Sequence, residues 1–146
     1  MKRRLGKSIV PLVLLCFLVS CQGESGAARG TREAAEFLAL EGHAQELERF
    51  ADDAIREFAP KRWRPHPGLP DPTVPLERLP TKFRGLGGVF VGPPNVVLDS
   101  KRQAVVLQWG NGRHEIVVFA EAPAAPPTGS LTRKVNERIY VTAMSE

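Results

Sequence analysis

The feature that most constrains this chain is a short turn, Trp109-Gly110-Asn111-Gly112-Arg113, set between two apolar runs. Asn-Gly suits the two left-handed positions of a type I′ turn, which joins antiparallel strands in a fixed register. Gly110 then faces Arg113, so Trp109 opposes His114, Leu107 opposes Ile116 and Val105 opposes Val118. The alternate residues Ala104, Val106, Gln108, Glu115, Val117 and Phe119 point to the other side. Away from its turn this hairpin is apolar on both faces. One helical layer covers one face only, so the other must meet a proline-rich segment, the Ala122–Gly129 loop or a partner. On that reading Trp63, Val106, Val117 and Phe119 form a candidate interaction surface.

More strand signals surround the hairpin. Gly87–Val91, Asn95–Asp99, Gln103–Trp109, Arg113–Ala120 and Glu137–Ala143 are short, β-branched or aromatic, and bounded by turn residues. The alternation in Arg138–Thr142 predicts an edge strand. Before them, Thr31–Phe58 has helical spacing, with apolar residues at Phe37, Leu40, Ala44, Leu47, Phe50 or Ala51, Ala54 and Phe58. Thr31 is the expected N-cap, Glu33 lies in the first turn, Pro60 ends the segment, and Gly42 is a point of breakage. The expected fold is α+β: an N-terminal helix, broken near Gly42, packed on an antiparallel sheet of four or five strands. Within a single small domain spanning 31–146, residues 31–59 are helical, 60–82 a proline-rich connector and 83–146 rich in strand.

Charge is unevenly placed along the 146 residues, which carry a formal net charge of +4. Lys2, Arg3, Arg4 and Lys7 precede the first acid, Glu24. Taking those four from twenty cations leaves sixteen, against sixteen carboxylates. The basic balance belongs to the first residues and gives no argument for nucleic-acid binding. Residues 22–59 hold nine acids and four cations, and residues 60–146 seven acids and twelve cations. The arginines of Lys61-Arg62-Trp63-Arg64 are therefore expected to meet the acidic helix face, while Trp63 anchors its loop.

The beginning of the chain has the layout of an export signal. A cationic stretch, Met1–Lys7, precedes an apolar run of eleven residues, Ile9–Val19, broken by Pro11. Eleven residues are too few for a membrane-spanning helix, which takes about twenty. The run ends in Leu18-Val19-Ser20-Cys21, which resembles the lipobox of bacterial lipoprotein precursors. The resemblance covers residues 1–21. It implies cleavage between Ser20 and Cys21, diacylglyceryl on the Cys21 thiol and acylation of the new amine. By the same resemblance Gln22 in the next position permits delivery to an outer membrane, so the expected location is the cell membrane or the outer membrane. Residues 21–30, small and polar, are expected to be a flexible tether. Cys16 leaves with the signal, so no disulfide can staple the domain.

Chemistry is thinly signalled. His43, His66 and His114 fall on a helix, a loop and a strand without metal-ligand spacing, so no metal is expected. Ser100 and Ser130 stand in turn contexts without a Gly-x-Ser-x-Gly elbow. Gly85-Leu86-Gly87-Gly88 precedes a strand rather than a helix, which suits a bulge or tight turn better than a phosphate loop. Asp99, Glu115 and Glu121 are carboxylates that nothing in the sequence draws together. The expected function is a membrane-anchored envelope lipoprotein that binds or supports another macromolecule, an envelope protein being the expected partner, with no catalytic residue and no cofactor. Two alternatives stand beside it. A small-ligand or lipid carrier needs an apolar cavity between helix and sheet, and an envelope hydrolase needs a cleft joining His114, Glu115 and Asp99.

Overall fold

The computed structural model describes residues 23–61, 63–129 and 131–144. Two helices, α1 (Gly26–Ala39) and α2 (His43–Phe58), precede five strands: β1 (Asn95–Asp99), β2 (Ala104–Trp109), β3 (His114–Phe119), β4 (Leu131–Lys134) and β5 (Ile139–Ala143). The strands form one antiparallel sheet in the order β1-β2-β3-β5-β4, with the helices on one face. The architecture is α+β.

The hairpin adopts the register that its turn dictates, Trp109 pairing with His114, Leu107 with Ile116 and Val105 with Val118. Asn111 and Gly112 both have positive φ, and the Arg113 amide donates to the Gly110 carbonyl. Val105, Leu107, Ile116 and Val118 enter the large core beneath the helices. There they meet Leu38, Leu47, Phe83, Leu98, Ile139 and Val141.

The helical region breaks at Gly42, whose φ of +82° suits a residue without a side chain. Its start differs from the expectation. Ser25, not Thr31, is the cap, its hydroxyl accepting from the Ala28 amide at 3.1 Å. Thr31 is buried inside α1 and donates its hydroxyl proton to the Ala27 carbonyl. Residues 26–30, expected in the tether, are the first turn of the helix. Gly30 allows this, because a Cβ there would come within 2.6 Å of a Val89 methyl. The break also moves the apolar stripe: Ala34 and Leu38 are buried, whereas Leu40, at the corner, is exposed.

Other differences concern strands. Gly87–Val91 is a tight turn, with Gly87 and Gly88 at positive φ and the Phe90 amide donating to the Gly87 carbonyl. The strand over 139–143 is not an edge. It lies between β3 and β4, and the edge belongs to β4, whose Leu-Thr-Arg-Lys sequence carries no apolar alternation. Residues 60–83, the connector and the residue after it, hold two single turns of 3-10 helix, Leu76–Arg78 and Thr81–Phe83. The connector also lays Pro72–Val74 beside β1: Val74 donates to the Val96 carbonyl and Leu98 to the Pro72 carbonyl.

Candidate functional site

The second face of the sheet holds Ala104, Val106, Val117, Phe119 and Tyr140 as a separate cluster, with Phe119 edge-on to Tyr140 at 5.9 Å. Val106 and Val117 are 0% exposed and Phe119 6%. These three residues are therefore interior, and the expected interaction surface does not exist at them. The cause is the connection from β3 to β4. Those strands run the same way with β5 between them, so residues 120–129 must return the length of the sheet. The Pro127 carbonyl lies 3.5 Å from the Thr132 hydroxyl, and Gly129 lies beside Thr142, which seats the end of this crossover on the second face.

A polar web closes the remainder of that face. Arg102, from the β1–β2 turn, meets Asp99 through Nε at 2.5 Å. Its two terminal nitrogens meet Glu115 at 2.7 and 3.2 Å. Gln108 donates to Glu115 at 3.0 Å. Burial works against the charge on Arg102, but the hydrogen bonds it donates to Glu115 and Asp99 outweigh it and hold its pKa above the ordinary arginine value. The structure thus joins Asp99 and Glu115 through one cation that both share. Such an arrangement fixes two strands and a turn. It does not make an acid and base pair.

His114 lies toward the opposite face, its ring 5.8 Å from Phe90, which in turn meets Trp109 edge-on at 5.1 Å. It is thereby separated from Glu115 by the sheet, and the hydrolase candidate loses its geometry. His43 turns the α1–α2 corner, with Nδ1 2.8 Å from the Phe37 carbonyl. His66 sits in the connector against the Pro67 carbonyl at 2.9 Å. Glu121 is exposed at the start of the crossover. Among the described residues no group of three or more His, Cys, Asp and Glu side chains is placed to hold a metal.

The acidic helix face is met by cations from the second half of the chain: Glu46 by Lys82 at 2.5 Å, Glu57 by Arg78, and Asp52 by Arg138 at 2.5 Å. Glu48 receives the Asn136 amide at 2.6 Å. The partners come from the 3-10 turns and the β4–β5 turn. Arg64 remains exposed, and Arg62 lies outside the described residues. At the start of α1, Arg32 reaches Glu24 at 3.1 Å, which draws the Glu24 carboxyl below its ordinary range.

Trp63 packs partly buried against the core, and its carbonyl accepts from the Gln103 amide at 2.7 Å. Around it lies a concave site of ≈ 490 Å³ lined by Trp63, Arg64, Pro65, His66, Leu69, Asp71 and Ser100, among others. Ser100 donates its hydroxyl proton to Asp71 at 2.6 Å, and its amide reaches the same oxygen at 3.3 Å. The hydroxyl is committed to clamping the connector onto the β1–β2 turn. The cleft offers apolar walls and a few polar groups for contact, without an activated nucleophile. Trp63 and Ser100 stand out in the sequence, whereas Asp71 and Arg102 do not, because their partners Ser100 and Glu115 lie far along the chain. Ser20, Cys21 and Ser130 lie outside the described residues. Among the described residues no helix is long and apolar enough to cross a membrane.

Compared with known proteins, this chain matches no protein-family model, no curated protein and no solved structure.

Proposed function

We propose that this chain is a bacterial lipoprotein: cleaved before Cys21, held to the cell or outer membrane by lipid on that residue, and working outside the cytoplasm as a non-enzymatic binding or accessory module. The observation that carries the proposal is Leu18-Val19-Ser20-Cys21, following an apolar run too short to span a bilayer and a cationic start. Acyl chains supply firm attachment, since one C14 chain alone gives an association constant of about 10⁴ M⁻¹ and two add their free energies.

The non-enzymatic part is supported by where the reactive groups go. Asp99 and Glu115 are both tied up by Arg102, Ser100 is held by Asp71, and His114 faces away from Glu115. The carrier reading needs a cavity between helices and sheet, and that layer is filled by Leu38, Leu47, Phe83, Leu98 and Leu107. With Val106, Val117 and Phe119 covered and the β1 edge paired, a partner protein would meet the proline-walled cleft beside Trp63. An exposed Leu69 at its rim offers the apolar contact.

The test is the intact mass of the protein extracted from membranes in detergent, beside a Cys21→Ser variant. The expected mass is that of residues 21–146 plus two or three acyl chains, with the variant released from the membrane. A chain cleaved without added lipid would instead make this a diffusing secreted domain.

A further inference from the structure

We propose that one pole of the domain, carrying Val91, Met144 and Arg113, lies directly against the lipid surface that holds Cys21. The inference rests on the lipoprotein reading and adds an orientation to it. Its first support is chain length. Helix α1 is capped at Ser25, so the cap is only four residues beyond Cys21. Four residues reach at most about 14 Å when fully extended. The headgroup layer of one leaflet takes about 6 Å of that, because the whole bilayer exceeds its hydrocarbon core by about 10–15 Å. What remains is less than one helix diameter of about 10–12 Å. A domain on so short a leash cannot stand clear of the membrane, and the pole where α1 begins must face it.

The second support is what that pole contains. Gly30 of α1 packs on Val89, and Phe90 packs on Trp109 and His114 at the end of the β2–β3 hairpin. The Met144 amide donates to the Arg113 carbonyl at 2.8 Å. The start of α1, the loop through Val91, the hairpin turn and the chain after β5 therefore share one end of the molecule. Val91 is 71% exposed and Met144 61%. Among the described residues they are two of four large apolar side chains left in solvent, the others being Leu40 at the α1–α2 corner and Leu69 in the connector. Arg113, exposed at the turn, stands where an anionic headgroup would be met. Apolar tips with a cation beside them, on the pole nearest the anchor, suit a lipid interface.

The test uses the acylated protein in vesicles of mixed phosphatidylethanolamine and phosphatidylglycerol. A nitroxide is attached in turn at Val91→Cys, Met144→Cys and Glu137→Cys, the last in the β4–β5 turn at the opposite pole. These positions are exposed, so the labels leave the core untouched, and the thiol of Cys21 is occupied by lipid. Collision with a water-soluble relaxant should fall severalfold at positions 91 and 144 relative to 137, and collision with oxygen should rise. Equal exposure of all three labels, in protein that still floats with the vesicles, would overturn the orientation and leave the anchor intact. Protein that carries no acyl mass and does not float would remove both readings together.

Discussion

Both faces of the sheet hold fully buried side chains, and they are very differently covered. Val105 and Val106 are neighbours in β2, each 0% exposed, pointing to opposite sides. Above Val105 lie two helices whose backbone groups satisfy one another, delivering Leu38, Leu47, Phe50 and Ala51 to the interface. Val106 shares its side with Val117, Phe119 and Tyr140, where the crossover that holds Pro123, Pro126 and Pro127 ends against Thr132 and Thr142 and the Arg102 web lies beside them. Irregular chain over an apolar surface carries the cost of unpaired amides, and proline has none to leave unpaired. A sheet can therefore be closed on one side by regular structure and on the other by a proline-rich crossover with one well-placed cation. The second solution covers less area and depends on fewer groups.

The largest test of that contrast is Leu107→Ala on the helical side. Fully buried leucine truncations cost about 2–5 kcal/mol, and packed helices close a cavity poorly. Urea unfolding should read a loss in that range. Next comes Arg102→Met on the other side. It leaves the mostly buried Asp99 and Glu115 without their cation, and loss of one partner from a fully buried pair costs about 3–5 kcal/mol. Arg102 keeps 30% of its side chain in solvent, so screening should reduce the cost to about 1–2 kcal/mol. Adding Glu115→Gln should recover part of it, and a stability equal to that of the parent would show that the web is ornamental. The smallest effect is the difference between Val105→Ala and Val106→Ala. The crossover can settle onto a lost methyl more readily than helices can, so Val105→Ala should cost more, by about 1 kcal/mol or less. Equal costs would mean that the crossover packs as rigidly as a helix.

Local devices were the legible part of this sequence. Asn111-Gly112 and the alternation around it specify the hairpin register without help from distant residues, and Gly42 marks the helix break for the same reason. Failures came where distant partners decide. Leu131-Thr132-Arg133-Lys134 has no strand pattern of its own and becomes β4 by pairing with β5. Ser25–Gly30 reads as a tether because its glycines weaken a helix, yet Gly30 is what lets α1 approach Val89. In Gly87–Val91 the apolar residues suggested a strand, and two left-handed glycines bend it instead. Of the candidate surface, Trp63 lines the cleft, while Val106, Val117 and Phe119 are hidden by a crossover whose path no local signal describes. The Asp99–Arg102–Glu115 web and the Ser100–Asp71 clamp join residues across the fold, and neither has a spacing that announces it.

The strand order has a consequence in time. β5, last of the strands in the sequence, lies between two that precede it, so β4 has nothing to pair with until residues 139–143 arrive. A chain delivered N-terminus first would hold only β1, β2 and β3 in register, with the outer side of β3 waiting. Helix α1 packs on β4 and β5, which makes the first helix to emerge the last to find its seat. Completion thus waits for residues 139–143, when one short segment brings in two strands and the helix at a stroke. A chain interrupted shortly before Ala143 would be left with its beginning undocked.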